Sequence, residues 1–413
     1  MNIKDYSEIK LIIPWKICII YLILLVPSVL PVELFSPILI LTGMILLILT
    51  GGIIKIDYLK NIWPLLIILF IGIIGMSNHS SRHILRDISY ALTPISLLFA
   101  GYYFSYSKIS LQKILKVIVV IGLIFSLIHL IQFLINPSLL LEKVDIIRQK
   151  TFNPGGGIII LSLILGLLQN RLGFDNLFPK FIPRLIGLPL LFSSFIFSFS
   201  RIGVVIAITL FLSFLGILTR INWKSILTIG VLAFSFILLI LSTPASETGT
   251  FRSKVSQSMT EIAVSDYQDM ADINQKWRGY ETYRALLKFS KEGIAGKILG
   301  SGFGSVVDLG VTIQLGDSYL SEIPIFHNGY AYLLVKTGLL GVLCYLIFYI
   351  GLLKRAIKFK NSENSEQVLF SHILIGCTLS MMLSMYVVGG IAQIHDSELL
   401  LLSGFVVGRL EII

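Results

Sequence analysis

Long apolar runs recur from one end of this chain to the other, and they constrain its fold more than any other feature. Of the 413 residues, 55% are hydrophobic and only 14% are charged. Many runs approach the roughly 20 apolar residues that an α-helix needs to cross a bilayer. They lack the alternating pattern of barrel strands, and a segment in lipid must satisfy its own backbone hydrogen bonds. The sequence therefore predicts an all-α polytopic membrane protein.

The boundaries of the apolar segments follow from the charges and turn residues between them. The run at 185–218 is too long for one span and contains a single charge, Arg201, so two short spans are favoured. A single long, tilted helix is the alternative, and it would invert the orientation of everything that follows. With this run divided, twelve segments are predicted, at approximately 13–31, 34–54, 62–76, 87–104, 114–135, 155–169, 185–200, 201–218, 225–242, 329–352, 367–387 and 395–410.

Positive charge predicts the orientation of these segments, because Lys and Arg concentrate in short loops that stay cytoplasmic. With both termini inside, seventeen of the 33 Lys and Arg residues lie in inner loops and ends, against six in short outer loops. Three regions result: nine segments in 1–242, one large extracytoplasmic loop in 243–326, and three segments in 327–413. This topology accounts for the net charge of +10 without nucleic acid as a partner.

The large loop contains one helical pattern and one turn-rich stretch. Between 269 and 290, Trp277, Tyr280 and Arg284 recur at helical spacing, which predicts an amphipathic helix along the bilayer surface. The glycines of LGSGFGSVV follow at 299–307. Such glycines allow backbone amides to approach a phosphate, but no strand precedes them. A tight turn that packs on the membrane helices is the favoured alternative.

Three side chains are predicted to face the outer membrane surface. Arg201 interrupts an apolar run, where a charge is costly and by default functional, although a snorkelling interfacial Arg is the alternative. Arg278 lies on the amphipathic helix, where basic residues also meet lipid headgroups. His327 opens the tenth segment. Because imidazole groups ordinarily titrate near neutral pH, this position suits either a satisfied interfacial histidine or an acid–base catalyst.

Further polar residues could complete a membrane-facing pocket. Arg148 and Lys150 end an outer loop, and Asn328 adjoins the histidine at the tenth segment. Lys336 lies two turns into that segment, about 10 Å from its outer end at 1.5 Å per residue. There it either snorkels outward or neutralises phosphate. All four are predicted to contact substrate.

Two residues of the loop helix and two carboxylates complete the candidate set. Tyr280 and Arg284 are predicted substrate contacts on the amphipathic helix. Asp396 and Glu398 open the last segment on its outer side and could serve as an alternative base or bind a cation. The histidine pair at 79 and 83 has helical spacing but no third ligand, so no metal site is predicted. No cofactor is predicted either.

Four short motifs surround the three principal candidates. They are FSRIG around Arg201, WRGYE around Arg278, the glycine-rich GSGFGS, and HNGYAYLLVKTG from His327. Together they resemble the motifs of the O-antigen ligase and polymerase superfamily, over about 198–351 by motif and over the whole chain by segment count and loop position. The resemblance implies a metal-independent glycosyltransferase at the outer leaflet of a bacterial cytoplasmic membrane. Its donor and acceptor would be glycans carried on polyprenyl diphosphate.

In this reaction a sugar hydroxyl attacks an anomeric carbon, and negative charge builds on the departing diphosphate. Guanidinium groups keep their charge and bind phosphate oxygens bidentately. The resemblance therefore implies that Arg201 and Arg278 hold the diphosphate and stabilise its departure. His327 would take the proton from the attacking hydroxyl or, alternatively, hydrogen-bond the phosphate.

The leading expectation is a polymerase that joins oligosaccharide repeat units into O-antigen, capsule or exopolysaccharide. A ligase that transfers the finished glycan from the same carrier to a lipid or protein acceptor would share this donor chemistry, and the sequence does not identify the acceptor. A flippase or other transporter of lipid-linked glycans is a third alternative. Transporters commonly contain two repeated halves, and the sequence contains no such repeat. Candidate partners of a polymerase are the bilayer, a chain-length regulator and a flippase.

Overall fold

The chain folds into a bundle of apolar helices with a smaller polar unit at one end. The computed structural model describes residues 15–30, 32–49, 56–76, 79–107, 109–142, 144–151, 156–219, 267, 270–315, 318–393 and 396–412. Its helices are α1 Trp15–Val29, α2 Val32–Leu49, α3 Ile56–Ile74, α4 Ser81–Tyr106, α5 Leu111–Ile135, α6 Val144–Lys150, α7 Gly156–Leu168, α8 Arg184–Phe197, α9 Arg201–Phe214, α10 Met270–Gln275, α11 Trp277–Lys291, α12 Ile294–Leu299, α13 Gly329–Phe359, α14 Ser365–Val388 and α15 Ser397–Ile412. Two strands, β1 Val307–Leu315 and β2 Ser318–Ile323, complete the described part.

Eleven of the twelve predicted apolar segments coincide with helices, and the segment at 225–242 lies outside the described residues. Within the described part, α5, α13 and α14 are long and apolar enough to cross a membrane by length and composition. Shorter apolar helices include α1, most of α2 and α3, and α7, α8 and α9. The mostly helical architecture is therefore confirmed, and its apolar helices suggest a membrane protein.

The run at 185–218 is divided into two helices, as favoured from its length. The chain turns between α8 and α9 at Phe199, which adopts a φ of 47° that non-glycine residues rarely occupy. Ser200 then caps α9, because its side-chain oxygen accepts a hydrogen bond from the backbone N–H of Gly203 at 3.1 Å. Arg201 is the first residue of α9. The alternative of one long helix is wrong.

The prediction of an all-α chain is wrong for the segment after the glycine-rich turn. There β1 and β2 form an antiparallel pair, with Val307 opposite Ile323 and Leu315 opposite Ser318. Val307, Leu309 and Ile313 are buried, whereas Asp308 between them is exposed. Alternation of buried and exposed residues with a period of two is typical of a half-buried strand. This pattern was the feature of the sequence that could have predicted β1.

Helices α4 and α15 form the centre of the bundle through close backbone contact. A Cβ atom at Gly404 would collide with the backbone of Leu98, and one at Gly101 would collide with the carbonyl of Leu401. A second glycine of α15, Gly408, faces α4 one turn later. Small residues at this spacing are typical of apolar helices that pack without a hydrophobic driving force between them.

Helix α13 is two helices joined at a kink. Its 31 residues would measure about 46 Å if straight, more than the roughly 30 Å of a hydrocarbon core. Gly338 has a φ of 65° and a ψ of −166°, which are not helical values. Residues 339–359 follow the kink and could span the core alone, and Leu339, Leu343 and Ile350 form an exposed apolar stripe on them. Lys336 lies before this kink, in the short first helix of α13.

The glycine-rich turn at 300–305 is inserted between helices of the bundle. The amides of Ser301 and Phe303 donate to the carbonyls of Val335 and Gly72, each at 2.8 Å. The amide of Gly304 donates to a carboxylate oxygen on α4 at 2.7 Å. These amides donate hydrogen bonds to oxygens of the protein itself. The structure therefore agrees with the tight-turn alternative and not with a phosphate-binding loop. We name this turn the latch.

The close approach of the latch can be separated from its unusual backbone conformation. Gly302 has a φ of 83° and lies against the backbone of Gly75, whereas Gly173 has a φ of 77° with open space around it. We expect Gly173→Ala to cost about 1 kcal/mol, because only the left-handed conformation is strained. Gly302→Ala should cost about 1–3 kcal/mol more, because the methyl group also overpacks the contact. Denaturation midpoints of the purified proteins measure both, and equal midpoints would contradict the role of the latch.

Candidate active site

A surface cleft of about 530 Å³ lies where the loop helix α11 meets the ends of α13 and α14. Trp277, Arg278 and Glu281 of α11 form one wall of the cleft. The segment from β2 to His327 forms a second wall, and Val388, the last residue of α14, lies at a third. Two of the three predicted catalytic residues, Arg278 and His327, therefore lie in one cleft.

His327 is joined to Glu281 by two hydrogen bonds. Its imidazole Nδ1 lies 2.7 Å from Oε2 of Glu281, and its backbone N–H donates to the same oxygen at 3.0 Å. The side chain of His327 is 43% exposed, but that of Glu281 is only 4% exposed. The carboxylate is thus held in the protein interior, and the ring opens toward the cleft.

Glu281 was not predicted as a site residue. It ends the WRGYE motif, which places it three residues after Arg278 and therefore on a neighbouring part of the same helix face. That spacing was the only sequence indication, and it does not identify the partner. The contact with His327 connects the loop helix to the start of α13, across a separation of 46 residues.

Asn328 has a structural task that was not predicted. Its side-chain oxygen accepts hydrogen bonds from the backbone amides of Tyr330 at 3.0 Å and Ala331 at 3.2 Å. It is therefore the N-cap of α13 and fixes the direction in which the chain leaves His327. The side-chain oxygen of Asn328, a predicted substrate contact, is thus used in this cap.

Arg201 lies at the same end of the bundle as the cleft. The first turn of α9 packs on Ile160 near the start of α7, and Gly157 at the start of α7 packs on Glu398 at the start of α15. Helix α15 follows the turn at 390–393, which reaches the cleft. In the described part of the chain, the residues that line the cleft do not include Arg201. The structure thus places Arg201 at the right end without bringing it into the cleft.

The predicted outer loop lies beside the turn that precedes Arg201. Phe199 packs on an apolar cluster that contains Ile147 of α6. Lys150, at the end of α6, forms an exposed ion pair with Glu142 at 3.2 Å, of a kind that contributes little stability. Arg148 belongs to α6, but its side chain lies outside the described residues.

The prediction that Lys336 contacts substrate is corrected, because its side chain is buried, forms an ion pair and does not line the cleft. Its Nζ lies 2.7 Å from Oδ2 of Asp87 on α4, and neither side chain is exposed. It also donates to the carbonyl of Ser305 in the latch. Tyr332 donates to the other oxygen of Asp87 at 2.9 Å. Lys336 therefore neither snorkels outward nor reaches a phosphate in the cleft, since its charge is used to join α4, α13 and the latch.

Tyr280 and Arg284 are also corrected from substrate contacts to structural residues. The Tyr280 hydroxyl donates to the carbonyl of Leu309, and burial raises the pKa of this phenol, which keeps it neutral. Arg284 donates through Nε to the carbonyl of Asp308 at 2.9 Å. Both side chains fasten α11 to β1, and this rigid support holds Arg278 and Glu281 in place.

The two alternative bases do not reach the cleft. Asp396 is 4% exposed and accepts a hydrogen bond from the hydroxyl of Ser384. Glu398 is 3% exposed and lies against Gly157 of α7. Neither lines the cleft as far as the structure describes it. Because both are enclosed between helices, the prediction that they replace His327 as base is corrected.

The cleft has the groups for binding an anion beside a proton acceptor. Among its described lining residues, those with titratable or charged side chains are Arg278, Glu281 and His327. Within the described part of the chain, no group of three or more His, Cys, Asp and Glu side chains could hold a metal ion. The chain matches no protein-family model and no curated protein at a significant level.

Proposed function

We propose that the chain is a membrane glycosyltransferase that joins oligosaccharide repeat units carried on polyprenyl diphosphate. The observation that carries this proposal is the shared cleft, in which the guanidinium of Arg278 and the imidazole of His327 line one cavity at the end of the apolar helices. This combination of groups suits a reaction with an anionic leaving group and a hydroxyl nucleophile. The resemblance of the motifs around both residues supports the same chemistry.

The reaction requires one proton acceptor and one site for negative charge. An acceptor hydroxyl oxygen forms a bond to the anomeric carbon of the donor glycan, and the bond from that carbon to the diphosphate oxygen breaks. The leaving diphosphate keeps the bonding electron pair, and Arg278 stabilises the resulting charge. The proton of the attacking hydroxyl passes to the imidazole of His327.

Arg201 is the proposed second cation for the diphosphate. It lies at the cleft end of the bundle, where a charge at the start of an apolar helix is costly unless it binds an anion or reaches water. A diphosphate has two phosphoryl groups, so two arginines can each take one. The lipid tail of the carrier would then extend along the apolar surface of the bundle.

The proposed placement in the membrane follows from charge. Twelve spans with both termini inside put the cleft end outside a bacterial cytoplasmic membrane, because the loops at that end contain fewer Lys and Arg residues. Glycans flipped to the outer leaflet would reach the cleft there. A chain-length regulator and a flippase are proposed as partners.

A ligase is the second candidate, because the cleft explains the donor chemistry and leaves the acceptor open. Deleting the gene in its native host distinguishes the two. A polymerase is indicated if the long glycan ladder disappears while a single repeat unit remains attached to its acceptor. A ligase is indicated if all attached glycan disappears and long polymer accumulates on the polyprenyl carrier. Loss of all attached glycan, with single repeat units trapped on the inner leaflet, would instead indicate a flippase.

Arg201→Ala is expected to reduce glycan transfer about 100-fold, because a preorganised positive charge for the diphosphate is lost. The measurement uses purified protein in proteoliposomes with a polyprenyl-diphosphate oligosaccharide, and it follows product length on a gel. Arg171→Ala is the matched control, since Arg171 lines a cavity with Leu111 and Ser365, at the end of the bundle opposite the cleft. It should keep activity within about twofold. Normal product from Arg201→Ala would remove Arg201 from the site.

A further inference from the structure

We infer that Glu281 is a positioning residue for His327. It holds the imidazole in the tautomer that has its proton on Nδ1, so the lone pair of Nε2 faces the cleft. The inference rests on the proposed function, because it assigns a task to the neighbour of the proposed base. It extends that function by naming which nitrogen accepts the proton. Two hydrogen bonds that meet on one carboxylate oxygen support this assignment.

The tautomer follows from the donors and acceptors at this oxygen. Oε2 of Glu281 lies 3.0 Å from the backbone nitrogen of His327 and 2.7 Å from its Nδ1. A carboxylate offers only lone pairs, so both of these nitrogens must supply protons. In a neutral imidazole the other nitrogen, Nε2, is then the acceptor. A neutral ring held in this way can take a proton only at Nε2.

The carboxylate is held firmly enough to impose this choice. Glu281 is 3% exposed, and its helix α11 is fastened to β1 by Tyr280 and Arg284. The backbone hydrogen bond from His327 fixes the ring relative to its own main chain. Since the ring is 43% exposed, its free edge is the part that can meet a substrate.

The same helix sets the distance between the base and the charge that holds the leaving group. Arg278 and Glu281 are separated by three residues in α11, so they lie about 4.5 Å apart along the helix axis at 1.5 Å per residue. Arg278 is the other charged side chain among the described residues that line the cleft. Through Glu281, one rigid helix therefore positions both the proton acceptor and the phosphate-binding cation.

A purely structural tie between α11 and α13 is the competing explanation, and activity alone would not exclude it. The tautomer of His327, measured together with kcat in a folded Glu281 variant, separates the two explanations. We would label the histidines with ¹⁵N, assign His327 by its loss in His327→Ala, and record spectra of the reconstituted full chain at alkaline pH. Wild type should show a protonated Nδ1 and a bare Nε2, and Glu281→Gln should shift both signals toward a mixture of tautomers. A wild-type spectrum with protonated Nε2 would overturn the inference.

Kinetics provide the second readout. Glu281→Gln keeps the size of the side chain, so the protein should fold, while kcat falls about 100-fold and KM changes by less than about twofold. Thr282→Val is the control on the same helix, because its hydroxyl donates to a backbone carbonyl, that of Arg278 at 3.0 Å, and it should keep kcat within about twofold. An unchanged kcat in Glu281→Gln overturns the inference. A wild-type protein without transfer activity, but with the expected spectrum, would overturn the proposed function and support the positioning of His327.

Discussion

Glycan transfer is expected to fall by about 100- to 1,000-fold when Arg278 is replaced by Ala. Arg278 and His327 line the same cleft, and among its described lining residues Arg278 is the one arginine or lysine. The loss should appear in kcat more than in KM, because charge on the diphosphate grows as its bond to the sugar breaks. Single-turnover transfer in proteoliposomes measures the chemical step directly.

Two variants show whether charge or geometry is responsible for this effect. Arg278→Lys keeps the positive charge but loses the bidentate fork, and it should retain more activity than Arg278→Ala without restoring the wild-type rate. Lys276→Ala removes a neighbouring base, which forms an ion pair with Asp272 at 2.8 Å and does not line the cleft. It should transfer glycan at nearly the normal rate. Equal losses of activity in Lys276→Ala and Arg278→Ala would mean that the positive charge of the loop matters, and that Arg278 has no specific role.

Asp87→Asn and Lys336→Met are each expected to destabilise the protein by about 3–5 kcal/mol, because each removes the 2.7 Å contact between two fully buried charges. Arg86, whose Nε lies 3.8 Å from Oδ1 of Asp87, is a more distant second partner. The double variant should lose much less than the sum of the two single losses, since the pair is then removed as a unit. Denaturation midpoints in detergent give the three values. Additive losses would show that the two side chains do not stabilise one another.

Lys336→Met also tests whether this residue contacts substrate. The structural assignment predicts that transfer per folded molecule is nearly normal in the double variant, because the cleft residues are unchanged. If Lys336 contacted substrate, the loss of its amine would instead lower transfer in both the single and the double variant. Normalising activity to the folded fraction separates the two explanations.

Apolar length and isolated charges predicted most of the helical architecture. The run at 185–218 had to be divided because it exceeded the thickness of a bilayer, and α8 and α9 are separate helices. The spacing of Trp277, Tyr280 and Arg284 predicted one loop helix over 269–290, whereas the structure divides this stretch at Lys276 into α10 and α11. These features depend on residues that are close together in the chain, so they can be recognised from the sequence alone.

Pairings between distant residues could not be predicted in this way. Nothing adjacent to Lys336 in the sequence identifies Asp87, and an unpaired lysine near a membrane surface is expected to snorkel. The same limitation hid the bond between Glu281 and His327. The hairpin of β1 and β2 was missed for another reason, because a short alternating stretch is a weak signal in a chain dominated by helical runs.

The latch has a consequence for how this protein can change over time or be re-engineered. Its partners are Gly72 on α3, Asp87 on α4 and Val335 on α13, so the polar loop is fitted to helices encoded near the beginning of the chain as well as to those after it. A loop transplanted alone between two such proteins would arrive without its matching surface. The unit that can be exchanged, and hence inherited as a working module, is the loop together with α3, α4 and the first part of α13.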